Sequence, residues 1–418
     1  MGTHMSRPRA LIIGGSLGGL FAAHLLRGSG WDVTVYERAR GDLAGRGAGL
    51  GSRDELFAVL RRTGVTVDDS IGVEVRSRIC LDPDGTAICE IPVRTVATAW
   101  DRIYRALKDA LPSELYHAGM QFKFLEQDAC KIAAVFADGS RDEGDLLVAA
   151  DGIHSTVRQQ LLPGCNPCYA GYVAWRGVAT EDDVPSAYHE LTFHHMNFCF
   201  PEGELALAVP MSAPNGSGHS SRRRCQFSWF RPVDHATSLP QMCTDASGHC
   251  HGVSIPPPMI QPELIQELKA QADTMLAPQV AALIARAQQP ILQPIFDLET
   301  SQIVFGRAVL LGDAAFVARP HVGTGVTKAA LDAQCLADVL LTASGNLDAA
   351  LTRYDRERRR FGNWLVARGR YLGAYLTAQH KSREQRRGRE LYRRPDIVMR
   401  EFGGAGVIDG APANPWHW

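Results

Sequence analysis

The sequence contains no long apolar run and no excess of charge of either sign. None of its hydrophobic segments reaches the roughly 18 residues that a membrane-spanning helix needs, and the first is too short for a signal peptide. Its 44 basic and 45 acidic side chains give a formal net charge of −1, so no global field attracts nucleic acid or an anionic membrane. We therefore expect a cytoplasmic globular protein with neither as a partner, beginning after a tag-like or disordered start over residues 1–8.

The sequence also has no cysteine and histidine spacing that specifies a metal site. Cys165 and Cys168 have redox or zinc spacing, but no second CxxC accompanies them. The cysteines and histidines over 243–251 fit no structural zinc pattern. We expect mostly free thiols and no bound metal; redox or metal use of Cys165 and Cys168 is the less favoured alternative.

A glycine-rich turn near the N-terminus joins an apolar strand over 10–13 to a helix expected over 17–28. Such a helix directs its first N–H groups at a pyrophosphate. A second strand ends in an acid about 20 residues past the turn, where a ribose hydroxyl needs an acceptor. A turn that binds nothing is the structural alternative. The residues predicted to bind a dinucleotide here are Gly14, Gly15, Ser16 (in place of the usual second glycine), Gly19, Glu37 and Arg38.

Two further motifs follow buried strands much later in the chain. Asp151 and Gly152 come after a strand expected over 145–150, and Asp313 comes after one over 308–311. The segment 320–325 continues from the latter. Each motif alone is ambiguous, because Asp-Gly is a common turn and Gly-Asp also caps helices.

In this order and with these gaps, the three motifs resemble the FAD-dependent aromatic hydroxylases, the single-component flavoprotein monooxygenases, over roughly residues 9–345. The resemblance implies an α/β fold: a Rossmann-like FAD-binding domain, a β-sheet substrate domain and C-terminal helices, as in para-hydroxybenzoate hydroxylase. The expected boundaries are 9–75, 95–165 and 300–345 for the FAD-binding domain, 76–94 and 166–299 for the substrate domain, and 346–418 for the helical region.

The resemblance implies a tight, non-covalent FAD, with NADH or NADPH as a transient co-substrate. It assigns the ribityl chain to Asp313 and both nucleotides to the segment of Asp151. The isoalloxazine ring is then expected beside the backbone of Gly323, Thr324 and Gly325, where side chains would block its approach. The helix that usually opens with an arginine near the flavin here opens with Trp100 and Asp101, which leaves Arg102 as the cofactor-binding candidate.

The implied reaction consumes NAD(P)H and O₂ and hydroxylates an electron-rich aromatic or N-heteroaromatic ring through a flavin C4a-hydroperoxide. Segments 169–177 and 319–321 look most like the hydroxylases of hydroxylated N-heteroaromatics, the 2,6-dihydroxypyridine 3-hydroxylase group. The segment places His321, with Pro320 before it, at the ring, and histidine titrates in the range useful to a base; a structural histidine is an equal alternative. The candidates for the substrate pocket are Tyr172, His194, His195 and Phe198.

Two other functions and one other partner class remain open from the sequence. The chain could be a different flavin-dependent oxidoreductase, such as an epoxidase or reductase, or an inactive flavin-binding sensor. The arginine-rich segment 356–389 could suggest nucleic acid, but interleaved acids and helically spaced apolar residues favour a solvated helix. We expect a monomer or a homodimer.

Overall fold

A computed structural model provides the structure of the protein. It describes residues 7–44, 49–52, 54–66, 71–212, 223–343, 345–373, 376 and 395–403. Within these ranges no helix is both long enough and apolar enough to cross a membrane, and all ten cysteines are unpaired.

A six-stranded sheet carries the three motifs. Its apolar strands are buried on both faces, as parallel strands covered by helices must be. Five strands are parallel and β16 is antiparallel at one edge, in the order β16-β17-β10-β1-β2-β6. The strands are β1 (Arg9–Ile13), β2 (Asp32–Glu37), β6 (Tyr116–Ala118), β10 (Leu146–Ala149), β16 (Val304–Phe305) and β17 (Ala308–Leu310).

Helices cover both faces of this sheet and complete its hydrophobic core. Because parallel strands point the same way, the motifs that follow β1, β10 and β17 meet at one edge of the sheet. The α-helices of this half are α1 (Leu17–Gly28), α2 (Asp54–Arg62), α3 (Trp100–Ala110), α4 (Thr156–Leu161), α9 (Gly325–Thr342) and α10 (Leu347–Leu372). A three-stranded sheet flanks it, with β7 (Phe122–Gln127), β8 (Ile132–Phe136) and β9 (Arg141–Gly144).

An eight-stranded, mostly antiparallel sheet forms the other half, in the order β15-β11-β14-β13-β12-β4-β5-β3. Its strands are β3 (Gly49–Ser52), β4 (Gly72–Leu81), β5 (Ala87–Ala99), β11 (Cys168–Thr180), β12 (Met196–Cys199), β13 (Leu205–Met211), β14 (Arg224–Pro232) and β15 (Ile291–Asp297). The N-terminal part of the substrate domain was expected over 76–94. The sheet includes β3, β4 and β5, so its N-terminal part begins earlier and ends later than that segment.

One face of the eight-stranded sheet packs under helices and the other faces the motifs. Apolar side chains of α7 (Pro262–Met275) and α8 (Pro278–Arg286) cover the first face. The second face is partly covered by a short C-terminal helix, α11 (Pro395–Glu401). The short helix α5 (His189–His194) precedes β12, and α6 (Ser238–Met242) follows β14.

Two details of the chain differ from the sequence-based expectation. Strand-like alternation in the sequence predicts a strand over 189–200, but residues 189–194 form helix α5, and only Met196–Cys199 is strand. The sequence also predicts a helical stretch near 262–286, which forms two helices because Pro278 begins a new one. The sequence predicts a largely helical stretch over 347–390; helix α10 spans Leu347–Leu372 of it, and most of the remainder lies outside the described residues.

Candidate functional site

A groove of about 370 Å³ lies at the carboxyl edge of the six-stranded sheet. We call it the motif groove. Residues of the first two sequence motifs form its walls, because the strands that precede them end at the same edge. Its lining includes Gly14, Ser16, Glu37, Arg38, Trp100, Asp151, Gly152 and His154.

The glycines of the first motif are required by close packing. A Cβ on Gly14, whose φ is 107°, would lie 2.3 Å from the carbonyl oxygen of Ala150. A Cβ on Gly19 would lie 1.9 Å from the carbonyl oxygen of Gly14, so this position lets α1 approach its strand. Ser16 stands at the N-cap of α1, but its hydroxyl does not cap the helix and remains available to a ligand in the groove.

Glu37 fastens the turn of the first motif to the end of β2. Its buried carboxylate accepts the backbone N–H of Gly15 at 2.8 Å and that of Ala39 at 2.8 Å. Each oxygen can accept a further hydrogen bond. Glu37 can therefore accept a ribose hydroxyl while it positions the N-terminus of α1.

Asp151 and Arg158 have different environments although they belong to one motif. One carboxylate oxygen of Asp151 accepts the N–H of Val157, while Oδ1 is buried without a hydrogen-bond partner among the described residues. Burial raises the pKa of Asp151. Arg158 is fully buried and donates to the carbonyl oxygens of Ile153, Cys165 and Ala314. Arg158 thus connects the second motif to the third, and Asp151 is left to meet a ligand.

The third motif contains an ion pair between a buried lysine and an exposed aspartate. Asp313 accepts a hydrogen bond from the ammonium of Lys328 at 2.8 Å; the lysine side chain is 1% exposed and that of Asp313 55%. Lys328 also donates to the carbonyl oxygen of Phe316. Asp332 of α9 accepts the N–H of Gly312 at 3.0 Å and so fixes the start of the turn.

A second cavity of about 570 Å³ lies between the third motif and the eight-stranded sheet. We call it the central cavity. Strands β11 to β15 form one wall. The other wall is the third motif and the segment after it, and includes Asp313, Pro320, Gly323, Thr324 and Gly325. Trp100 lines both spaces, so the motif groove and the central cavity meet at this residue.

The residues present fit FAD, the cofactor implied by the resemblance. The two adjoining spaces match a molecule with a nucleotide end and a flat ring at the other end. Two buried polar atoms without partners in the described chain, Asp151 Oδ1 and Thr324 Oγ1, line these spaces and can bond to such a ligand. A Cβ on Gly325, at the N-terminus of α9, would meet only open space, so backbone there is accessible to a ring.

Gly323 serves a purpose that the sequence did not indicate. Its φ is 61°, and a Cβ there would lie 2.8 Å from the Cα of Gly403. The N–H of Gly403 donates to the carbonyl oxygen of His321 at 2.8 Å. Gly323 is therefore needed because the backbone of Gly403 packs directly against it, and it also lines the central cavity.

Three of the residues predicted to bind the cofactor, Gly15, Gly19 and Arg102, line neither cavity. Arg102 lines neither the motif groove nor the central cavity; Trp100, at the start of the same helix, does. The ring of Trp100 stacks on Tyr104 at 5.0 Å. Gly15 is covered by Tyr116, whose hydroxyl donates to the Gly15 carbonyl oxygen at 3.2 Å.

His321 lies behind the wall of the central cavity rather than on it. Its neighbour Pro320 lines the cavity, but the imidazole is 1% exposed and shares a 2.7 Å hydrogen bond with the Tyr172 hydroxyl. Burial, with smaller effects of the Arg319 and Arg176 guanidinium groups, lowers the pKa of His321 to about 3. The imidazole is therefore neutral and enclosed, which favours the structural alternative over a base in contact with substrate.

The four candidates for the substrate pocket do not line the central cavity. Tyr172 and Phe198 are fully buried on the correct face of the sheet but beneath other aromatic rings, including Phe402 above Phe198. His194 and His195 end helix α5, where they contact Arg223 and Ser77 respectively. In a regular strand one of these two histidines would face the pocket. The strand begins only at Met196, so this alternation does not apply to them.

The sequence reasoning missed the polar residues of the sheet wall. Arg176, Gln226, Ser228 and Gln293 line the central cavity from three adjacent strands. Arg176 and Tyr172 are four residues apart on β11, so strand alternation places both on one face. This alternation was the available signal, but only pairing with β14 and β15 shows which part of that face is open.

Comparisons with known proteins match this architecture. A family model described as "FAD binding domain-like" matches residues 169–297, from β11 to β15. The 2,6-dihydroxypyridine 3-monooxygenase of Paenarthrobacter nicotinovorans is 32% identical over 360 residues, which cover 85% of this chain and 88% of that protein.

Two solved structures share the fold over most of the chain. The 2,6-dihydroxypyridine-3-hydroxylase of Arthrobacter nicotinovorans aligns with a TM-score of 0.82 and 29% identity, covering 89% of this chain and 93% of the other. Klebsiella pneumoniae HpxO complexed with FAD and uric acid aligns with a TM-score of 0.73 and 25% identity, covering 95% and 94%. Both similarities extend across both sheets, not one motif alone.

Proposed function

The chain belongs to the FAD-dependent aromatic hydroxylases, the single-component flavoprotein monooxygenases, and we propose that it hydroxylates a small, ring-hydroxylated N-heteroaromatic substrate in the central cavity. The enzyme binds FAD non-covalently and consumes NADH or NADPH together with O₂. The observation that carries the proposal is that the motif groove and the central cavity adjoin at Trp100, which lines both. A dinucleotide in the motif groove can thereby extend its ring into the central cavity.

The chemistry that bound FAD supplies is hydride acceptance from NAD(P)H and transfer of one oxygen atom of O₂ to the substrate. The protein contributes binding and position. Ser16 and the N-terminus of α1 would hold the pyrophosphate, Glu37 would accept a ribose hydroxyl, and Asp313 would accept from the ribityl chain. The N-terminus of α9 carries a partial positive charge beside the ring, where negative charge develops on reduction.

The walls of the central cavity suit one small aromatic ring. Apolar side chains, including Leu207, Val209 and Phe230, line it beside a few polar groups, and its volume of about 570 Å³ is typical of a small-molecule site. Phe402 contributes from the C-terminal segment and excludes water. The name of the 32% identical relative, a 2,6-dihydroxypyridine 3-monooxygenase, supports hydroxypyridines as the first compounds to test.

The test is a substrate screen on the FAD-loaded enzyme. Hydroxypyridines, hydroxybenzoates and quinolones would be offered with NADH or NADPH, and both cofactor oxidation and product mass measured. We expect stimulated oxidation and a product heavier by one oxygen atom with at least one hydroxypyridine. Stimulated oxidation that yields only hydrogen peroxide with every compound would refute the proposed substrate class; protein stripped of FAD is the control.

A further inference from the structure

The centre of the sheet wall carries an arginine. Arg176 lies on β11 and lines the central cavity. Its register partners are Ser228 on β14 and Ile291 on β15, which also line the cavity. Directly opposed residues on neighbouring strands have Cβ atoms about 4.5–5.5 Å apart, so Arg176 and Ser228 act on the same part of the cavity.

Arg176, which is partly exposed, has no acceptor among the described residues, in contrast to Arg158, Arg319 and Arg368. Its Nε is removed from solvent without a hydrogen-bond partner in the described chain. Arg158 donates to backbone carbonyls, Arg319 pairs with Asp297 at 2.9 Å, and Arg368 pairs with Glu401 at 2.9 Å. An unpaired charge away from bulk water is costly, so a ligand that supplies the missing negative charge gains from it.

No neighbouring carboxylate among the described residues compensates the positive charge of Arg176. Burial alone lowers the pKa of its guanidinium to about 10, so the group is still a cation at neutral pH. Among the described residues that line the central cavity, Asp313 is the one carboxylate, and its partner is Lys328.

The hydrogen bonds beside Arg176 leave a second donor facing the cavity. The N–H of Gly49 donates to Gln226 Oε1, and Gln226 Nε2 donates to the Ser228 hydroxyl at 3.1 Å. Because Ser228 already accepts from Gln226, its own proton is available to donate. The wall thus offers a guanidinium and a hydroxyl proton, which are both donors.

We propose that Arg176, assisted by Ser228, binds an anionic oxygen of the substrate, either the oxide of a ring hydroxyl or a ring carboxylate. The inference rests on the proposed function, because it assigns the substrate's charge in the same cavity. An arginine fork favours two-oxygen or strongly charged acceptors. It also favours the ionised form of a ring hydroxyl, the form in which an aromatic ring is most electron-rich.

Calorimetric titration of the FAD-loaded enzyme without NAD(P)H tests the inference independently of turnover. Two matched probe pairs separate the two sources of charge: benzoate against benzamide, and 4-nitrophenolate against 4-nitroanisole. In the wild-type enzyme we expect tighter binding of the anion than of its neutral partner in at least one pair. Arg176→Gln should weaken that anion about 10- to 100-fold, as loss of a hydrogen bond to a charged group does, and leave the neutral probe within twofold.

Two further variants complete the experiment. Arg176→Lys should recover part of the lost anion affinity, because it restores the charge without the planar fork. Arg286→Gln removes the same charge from an exposed site at the end of α8 and should change nothing. The pair that responds identifies a carboxylate or a ring oxide as the anion.

Three results would overturn the inference. Equal binding of both members of both pairs would show that the cavity does not select charge. Unchanged anion affinity in Arg176→Gln would show that another group selects it. If that variant keeps its anion affinity but has a larger FAD dissociation constant or a shifted flavin midpoint potential, Arg176 interacts with the cofactor and not with the substrate. A substrate screen without any hydroxylated product would refute the proposed function and leave this binding result standing.

Discussion

At the scale of single residues, Asp313 carries two interactions at once. It lines the central cavity, where we propose that it binds FAD, and it is the anionic partner of Lys328, whose ammonium is nearly inaccessible. Asp313→Ala should weaken FAD binding by about tenfold or more, since one hydrogen bond to a charged group contributes about 1.5–3 kcal/mol. The FAD dissociation constant of the apoprotein, measured by flavin fluorescence quenching, checks this.

A second variant separates the two interactions of Asp313. In Asp313→Ala alone, the carbonyl oxygen of Phe316 is the one partner that Lys328 retains among the described residues, and the protein could lose FAD because that buried charge disturbs the turn. The double variant Asp313→Ala/Lys328→Met removes the stranded charge. Recovery of wild-type affinity in the double variant would contradict a direct contact between Asp313 and FAD.

His321 predicts a pH dependence of stability. Its pKa is about 3 in the folded protein against 6.5 for the unperturbed group, so unfolding takes up a proton below pH 6.5. The stabilisation is complete above that value and is lost progressively as the pH falls from about 6.5 to about 3. Between pH 6.5 and 5 the loss amounts to about 2 kcal/mol.

Urea unfolding of wild type and His321→Gln at pH 7.5 and 5 measures this contribution. The variant should be less stable at pH 7.5 but lose about 2 kcal/mol less than wild type on acidification. Equal losses in both proteins would show that His321 titrates normally. In variant protein fully loaded with FAD, the ratio of product to peroxide should stay near that of wild type; a large fall would restore the catalytic role expected from the sequence.

At the scale of elements, helix α11 positions Phe402, the residue that follows it, in the wall of the central cavity. Arg78 donates to the carbonyl oxygen of Met399 at 2.5 Å, and the buried Arg368 pairs with Glu401 at 2.9 Å. These contacts place Phe402 over the cavity. Because α11 is only a short helix, its position depends on them rather than on helix stability of its own.

Glu401→Gln should loosen α11 because it leaves Arg368 charged and buried. Breaking a buried pair from one side typically costs about 3–5 kcal/mol, and water that reaches the cavity should lower the hydroxylated product formed per NAD(P)H. Glu299→Gln is the matched control, since its pair with Arg370 is about 40% exposed on both sides and contributes less than about 1 kcal/mol. Similar product ratios in the two variants would argue against α11 as a closing element.

At the scale of the whole molecule, the cofactor site joins two sheets that otherwise have separate cores. The motif groove is built mainly by the six-stranded sheet, whereas the central cavity has a wall from each half. FAD should therefore stabilise both halves together, by about 2.7 kcal/mol at a free concentration 100 times its dissociation constant.

Differential scanning calorimetry at increasing FAD concentration tests this coupling. One transition that moves to higher temperature is expected. AMP, which fills only the motif groove, is the control and should raise the transition less. Two transitions of which FAD moves only one would show that the halves are stabilised independently.

The sequence by itself determined the local features of this protein. A few neighbouring residues fix the strand–turn–helix of the first motif and the strands before Asp151 and Asp313, so these were predictable. The hairpins β4–β5 and β8–β9 were predictable in the same way, from the turn sequences Asp-Pro-Asp-Gly over 82–85 and Ala-Asp-Gly-Ser over 137–140. A strand buried on both faces, or a turn in which only glycine fits, produces a recognisable residue pattern within about ten residues of sequence. The family followed from the order of these motifs and is confirmed.

Only the tertiary structure decided which side chains face the central cavity. Arg176 faces it because β14 and β15 pair on either side of β11, and Phe402 reaches it across some 80 residues of chain from the turn at Gly323. Trp100 and not Arg102 stands at the junction, and His321 is enclosed by Tyr172. Such outcomes depend on register and on packing between distant segments, which are long-range properties that no local pattern of residues encodes.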